Sequence, residues 1–256
     1  MTFLQMCILF IAAVLGGTLN AVAGGGTFIT LPSLIVAGVL PINANATSTV
    51  ALWPGTVASI WAYRKELAQQ RRLLVLVLSV ASLIGGVLGA ELLLSTSQST
   101  FVILLPYLLL VATLLFALSG PITARLRKRR TQGSRLSWYT LSGVSLLQLV
   151  IAIYGGYFGG GIGILMLATL GLMGMENIHE MNAMKTLLTA CINGVAVIIF
   201  VIRGVVVWPE AIVMLIGAII GGYGGAFYAR KIDQRWIRGF VILVGVTMTI
   251  YFFVRQ

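Results

Sequence analysis

Apolar residues fill this chain in blocks of roughly membrane-spanning length, and polar residues are confined to the gaps between them. Set against the ~20 residues that a helix needs to cross a bilayer, the pattern predicts ten helical segments: 4–23, 27–40, 44–63, 73–93 and 101–120, then 138–157, 162–175, 183–202, 210–229 and 236–254. The second segment of each group of five is short for a crossing unless the bilayer thins or the piece is a half-helix. Each short segment directly follows three glycines, Gly24, Gly25 and Gly26 in one case and Gly159, Gly160 and Gly161 in the other.

The glycine runs are not the only echo. Asn45-Ala46-Thr47-Ser48-Thr49 returns as Asn182-Ala183-Met184-Lys185-Thr186, and Ile84-Gly85-Gly86-Val87-Leu88-Gly89-Ala90 as Ile220-Gly221-Gly222-Tyr223-Gly224-Gly225-Ala226. The three offsets are 135, 137 and 136 residues. A near-constant offset across separate motifs points to one half duplicated and fused. The expected organisation is a first transmembrane repeat over 1–120, a basic cytoplasmic linker over 121–137 and a second repeat over 138–256. Glycine interruptions at matching places in two hydrophobic halves point to a transporter's binding site.

Composition confirms the compartment. Hydrophobic residues make up 59% of the chain and charged ones 9%, and the mean hydropathy is +1.04, which excludes an ordinary soluble domain. The predicted fold class is an all-α membrane protein of about ten transmembrane or half-membrane helices. Six acidic residues face seventeen Lys and Arg, for a net charge of +11. Those basic residues sit in short loops between apolar runs, where they orient membrane segments and leave no surface for nucleic acid.

Charge then sets the sides. Arg64, Lys65, Arg71 and Arg72, the group from Arg125 to Arg135, and Arg230, Lys231, Arg235 and Arg238 mark cytoplasmic loops and Lys185 is counted with them, leaving Arg203 and Arg255 on the other side. Both termini are then expected on the periplasmic face. Five crossings per half make the halves enter from opposite faces, an inverted repeat. Ala21-Val22-Ala23 resembles a signal-peptidase site, but residues 1–6 carry no positive charge and cleavage would cut into the duplicated unit. The segment is therefore expected to stay. Cys7 and Cys191 lie in apolar runs as small buried side chains, without a disulfide framework.

The candidate chemistry gathers at the echoes. A glycine run at membrane depth lets the backbone bend and brings N–H groups within reach of a ligand. The helix that follows adds the positive end of its dipole, which suits a small anion; close helix packing is the alternative. Asn45, Thr47, Ser48 and Thr49 open the third segment and Asn182, Lys185 and Thr186 the eighth, either as helix caps or as groups facing a cavity. Lys185 is either a counter-charge for an anionic substrate or an ammonium that snorkels toward Glu180 or Glu176. His179, the single histidine, is a candidate for proton coupling or an inert loop residue. Gly85 and Gly89, and Gly217, Gly221 and Gly225, have the small-xxx-small spacing of close helix packing. Pro54-Gly55 is expected to bend the third segment, and Asn193 places an amide at the matching part of the eighth.

The run Asn20-Ala21-Val22-Ala23-Gly24-Gly25-Gly26, the Asn-Ala-Thr-Ser-Thr element with its Met-Lys-Thr counterpart, and the Gly-rich fourth and ninth segments resemble the TauE/SafE family of bacterial and archaeal permeases. The resemblance spans nearly the whole chain. It implies transport of sulfite, an organosulfonate or a related sulfur-containing or carboxylated anion across the inner membrane. The expected protein is a secondary transporter whose anion site is formed by the backbone of Gly24, Gly25, Gly26 and Thr27 and of Gly159, Gly160 and Gly161. Asn20, Asn45, Thr47, Ser48, Asn182, Lys185 and Thr186 are the expected supporting side chains. A passive anion channel is the nearest alternative. An intramembrane enzyme finds little support, since no His-Glu-x-x-His, Gly-x-Ser-x-Gly or nucleotide-binding loop occurs. No catalytic residue, metal or cofactor is expected. The expected partners are the anion and membrane lipid, and self-association is left open.

Overall fold

The computed structural model describes residues 1–22, 24–129, 138–173, 175, 177–228 and 234–254. Ala23, Glu176, Arg230, Lys231, Arg255 and the 130–137 part of the expected linker lie outside these residues. Eleven helices are described, and no strand accompanies them among the described residues: α1 (Phe3–Val22), α2 (Thr27–Val36), α3 (Pro41–Ala62), α4 (Arg64–Ala68), α5 (Arg72–Ser95) and α6 (Gln98–Arg129) in the first half, then α7 (Trp138–Tyr157), α8 (Ile162–Leu172), α9 (Ile178–Ile202), α10 (Trp208–Tyr228) and α11 (Gln234–Val254).

Ten of these match the expected segments, and α4 is an extra turn-and-a-half inside the basic loop after α3. The short segments are shorter still than the apolar pattern suggested. With 10 and 11 residues, α2 and α8 reach only about 15–17 Å at 1.5 Å per residue, half of a hydrocarbon layer about 30 Å thick. Gly38, at φ +96°, follows the end of α2. Helix α6 continues past Pro121 to Arg129, so the first part of the basic linker is helical.

Helices α1, α5 and α9 each include a stretch long and apolar enough to cross a membrane. Large apolar side chains are exposed along α1, α5 and α6, among them Leu15, Leu76, Leu92, Ile103 and Leu114, while Leu9, Leu78, Leu93, Leu105 and Leu109 of the same helices are buried. Helices apolar both inward and outward suit a lipid surround rather than water.

Packing follows a regular scheme. Helix α1 lies on α10 and α7 on α5; α3 packs on α10 and α9 on α5; α2 touches α11 and α8 touches α6; α3 meets α9, and α6 meets α11. The scheme maps onto itself when each first-half helix is exchanged for its second-half counterpart. Glycine makes the closest approaches possible. A methyl group added at Gly89 would run into the carbonyl of Ile153 on α7, and one at Gly221 into that of Val14 on α1. The Gly-rich spacing of α5 and α10 is thus a packing device, as the small-xxx-small pattern suggested.

Candidate functional site

Glycine conformations build the site. Gly24 has φ +78°, and Gly159 and Gly161 have φ +77°, a left-handed backbone that side chains with a Cβ resist. These residues end α1 and α7, turn the chain inside the bundle and start the half-helices α2 and α8. The two breaks also face each other. A methyl on Gly24 would lie 2.9 Å from Cα of Gly163 on α8, and the corresponding position on Gly159 lies 3.9 Å from Oγ1 of Thr27.

Polar side chains hold the breaks in place. Asn45 Nδ2 donates to the carbonyl of Tyr157, the last residue of α7, at 2.9 Å, and the Tyr154 hydroxyl donates to the carbonyl of Gly160 at 3.0 Å. Asn45 is 1% exposed, and its Oδ1, like that of Asn182, finds no hydrogen-bond partner among the described residues. The expected capping role of the paired motifs is not what the structure shows. Helix α3 starts four residues before Asn45, at Pro41. Asn177, not Asn182, caps α9 by accepting from the backbone N–H of His179.

Beside the first break lies a polar cleft of about 260 Å³, its open mouth included. Asn20, Ala21 and Gly24 line it from the end of α1 and the break, Thr56 and Ser59 from α3, and Lys185, Thr186 and Thr189 from α9. Lys185 is 3% exposed, and its Nζ has no hydrogen-bond partner among the described residues. The snorkelling alternative does not fit this placement. Glu180 is held elsewhere, accepting from Gln70 Nε2 at 2.9 Å and from Asn177 Nδ2 at 3.1 Å. Among the described residues, no carboxylate lines the cleft. Asn20 Nδ2 donates to Thr56 Oγ1 at 3.0 Å, which joins α1 to α3 at the cleft.

A buried ammonium without a counter-ion costs several kcal/mol. The surrounding groups are neutral hydrogen-bonding side chains, so the deficit is one of negative charge, and the first turn of α2 adds the positive end of a helix dipole nearby. The cleft thus carries a positive charge and no matching negative one among the described residues.

Of the residues expected from the sequence, Asn20, Gly24, Lys185 and Thr186 meet in this cleft. The others stand outside its lining. Thr47 Oγ1 accepts from the N–H of Val207 at 3.0 Å, and Ser48 shares a 2.6 Å hydrogen bond with Thr30 of α2. Gly25 and Gly26 are buried in the first break, where Gly26 packs on Gly16; Gly160 lies on the ring of Phe158, and Gly161 faces Ala112 of α6. Thr27 and Asn182 are half-buried. His179 is exposed on the first turn of α9. Thr56, Ser59 and Thr189 were not foreseen. Their signal was helical spacing, because Thr189 follows Lys185 by one turn and Ser59 follows Thr56 by three residues.

A model of the sulfite exporter TauE/SafE family matches residues 9–252. The chain belongs to that family. Among its relatives, the probable membrane transporter protein YfcA of Escherichia coli (strain K12) is 29% identical over 252 residues, covering 96% of this chain and 88% of its own. A probable membrane transporter protein of Haemophilus influenzae is 29% identical over 246 residues, covering 95% and 92%. The probable membrane transporter protein ORF9 of a Sinorhizobium species is 27% identical over 256 residues, covering 98% and 93%. Family membership and the apolar helices together make this chain a multi-pass membrane transporter.

Proposed function

We propose that the protein is a secondary transporter that carries a small anion, such as sulfite, an organosulfonate or a related carboxylated anion, across the bacterial inner membrane. The observation that carries this reading is Lys185, an ammonium buried without a partner in a cleft of hydroxyl and amide groups. Gly24 lines the cleft, Gly25 to Thr27 lead into the helix start beside it, and α3 and α9 supply the opposing wall. In this reading the halves are inverted repeats, the Arg64–Arg72 loop is cytoplasmic, both termini are periplasmic, and the chain performs transport without catalysis.

The antiparallel course of α3 and α9 supports the inverted arrangement. Asn43 at the start of α3 bonds Val205 beyond the end of α9, Trp53 bonds Ala190 midway, and Gln70 beyond α3 bonds Glu180 in the first turn of α9. Inverted halves meeting at a central site are the architecture of alternating access.

The test is uptake of radiolabelled sulfite and methanesulfonate into proteoliposomes by the native protein and by Lys185→Met. Saturable flux with counterflow is expected from the native protein, and a loss of at least tenfold from the variant. Equal flux through both would overturn the role of Lys185, and unsaturable conductance would make the protein a channel.

A further inference from the structure

Among the described residues, the two ends of the α3–α9 pair carry different sets of ties, although they are built from matching positions. At the end away from Arg64–Arg72, Asn43 Nδ2 donates to the carbonyl of Val205 at 2.8 Å, and the N–H of Val207 donates to Thr47 Oγ1 at 3.0 Å. Gln98, at the start of α6, locks the same corner. Its Nε2 donates to Asn43 Oδ1 at 3.0 Å, and its Oε1 accepts from the N–H of Ile42 at 3.0 Å. Beside them Arg203, which caps α9, pairs with Glu91 of α5 at 2.9 Å. This is the single salt bridge among the described residues, and it joins the first half to the second.

Moving by the 137-residue offset that relates Asn45 to Asn182 carries Asn43 to Glu180, Val207 to Gln70 and Arg203 to Glu66. These positions also carry a cross-tie, but between a different pair of partners. Gln70 Nε2 donates to Glu180 Oε2 at 2.9 Å, where Val207 donates toward α3 at the other end. The ion pair does not recur: Glu66 stands where Arg203 stands, and its buried Oε2 has no hydrogen-bond partner among the described residues.

The cleft lies on the lightly tied side. Thr56 and Ser59 are within two turns of the end of α3, and Lys185 is two turns from the start of α9. The corner held by Asn43, Gln98 and the Val205–Val207 segment lies at the other end of the α3–α9 pair. With Arg203 58% and Glu91 45% exposed, this ion pair is of the kind that water can replace.

We infer that Asn43, Thr47, Gln98, Glu91 and Arg203 form a gate that seals one face of the transporter while the Lys185 cleft serves the other, and that Gln70 and Glu180 are its counterpart at the opposite face. Transport requires the gate to break and the Gln70–Glu180 end to tighten. The inference rests on the transporter reading above and adds the place where the protein must open.

The first test uses Asn43→Cys with Val205→Cys in the full chain carrying Cys7→Ala and Cys191→Ala, reconstituted into phosphatidylethanolamine and phosphatidylglycerol vesicles. Bridging the pair with a reducible bis-methanethiosulfonate should cut sulfite flux at least tenfold, and dithiothreitol should restore it. Sulfite should still protect the bridged protein against thermal unfolding, because the cleft faces the other end. Undiminished flux through fully bridged protein would overturn the gate. Absence of flux before bridging would overturn the transporter reading, and the gate with it.

The second test labels Ala46→Cys in the same cysteine-free background with a membrane-impermeant maleimide. Glu91→Arg should raise the labelling rate at least fivefold, and the exchange of Glu91→Arg with Arg203→Glu should lower it again. An unchanged rate in Glu91→Arg would remove the ion pair from the gate.

Discussion

Trp53 Nε1 donates a hydrogen bond to the carbonyl of Ala190 at 3.1 Å, and the two residues are counterparts, 137 positions apart in the chain. They lie where α3 crosses α9, and the indole ring also rests on Gly194. Trp53→Phe keeps most of that ring contact and removes the donor. It should lower stability by about 1 kcal/mol, the net value of one such bond. Thermal unfolding of the detergent-solubilised protein reads the loss, and anion affinity should be unchanged because Trp53 does not line the cleft.

Lys185 should be a place where function opposes stability. Replacing a buried, unpaired ammonium by an apolar side chain of similar volume removes a desolvation cost of several kcal/mol per ion. Lys185→Met should therefore melt above the native protein while losing transport. In the native protein, saturating sulfite should raise the melting temperature by binding the folded state. The variant should show no such rise.

The close approaches of α1 to α10 and of α5 to α7 predict a sharp contrast among glycines. A Cβ at Gly89 or Gly221 would collide with backbone carbonyls of the neighbouring helix, and backbone cannot move aside as a side-chain end can. Gly89→Ala and Gly221→Ala should each cost about 1–3 kcal/mol or more. Gly143→Ala, in α7, meets nothing within 4 Å and should be neutral in the same thermal assay.

Thr189 and Ser48 separate the cleft from its surroundings. Thr189→Val removes a hydroxyl from the cleft lining and should raise KM for the transported anion severalfold, with little change in melting temperature. Ser48→Ala breaks the hydrogen bond to Thr30 and should instead destabilise by about 1 kcal/mol at an unchanged KM. Steady-state uptake and thermal unfolding on the two variants check both halves of the contrast.

Much of the architecture was legible along the chain. Apolar blocks located ten helices, although α6 runs on to Arg129 beyond its apolar block, because in a bilayer an exposed backbone group has no water to satisfy it and a helix satisfies nearly all of its own. The glycine runs marked both breaks, since φ near +77° is costly for other residues. The exception among elements was α4. Five residues of Arg64–Ala68 between two long helices carry too little pattern to separate a helical turn from a loop.

The site was less legible. Residues at the echoes were expected to face a ligand, yet hydrogen-bonding groups in a membrane helix also serve as ties, and local spacing does not tell the two apart. Asn45 pins the end of α7, Thr47 holds the segment after α9, and Ser48 bonds α2. Thr56 and Ser59 looked like ordinary small polar residues on a helix until the fold set them opposite Lys185.

By itself, then, the sequence determined that the protein is helical, membrane-embedded and broken by glycine at two matching points. Those properties follow from hydropathy and backbone sterics, which act over a few residues. Only the tertiary structure decided that Lys185 is left without a counter-charge and that the cleft belongs to one end of the bundle. Burial and pairing depend on which distant helices meet, and no pattern along one helix records its neighbours.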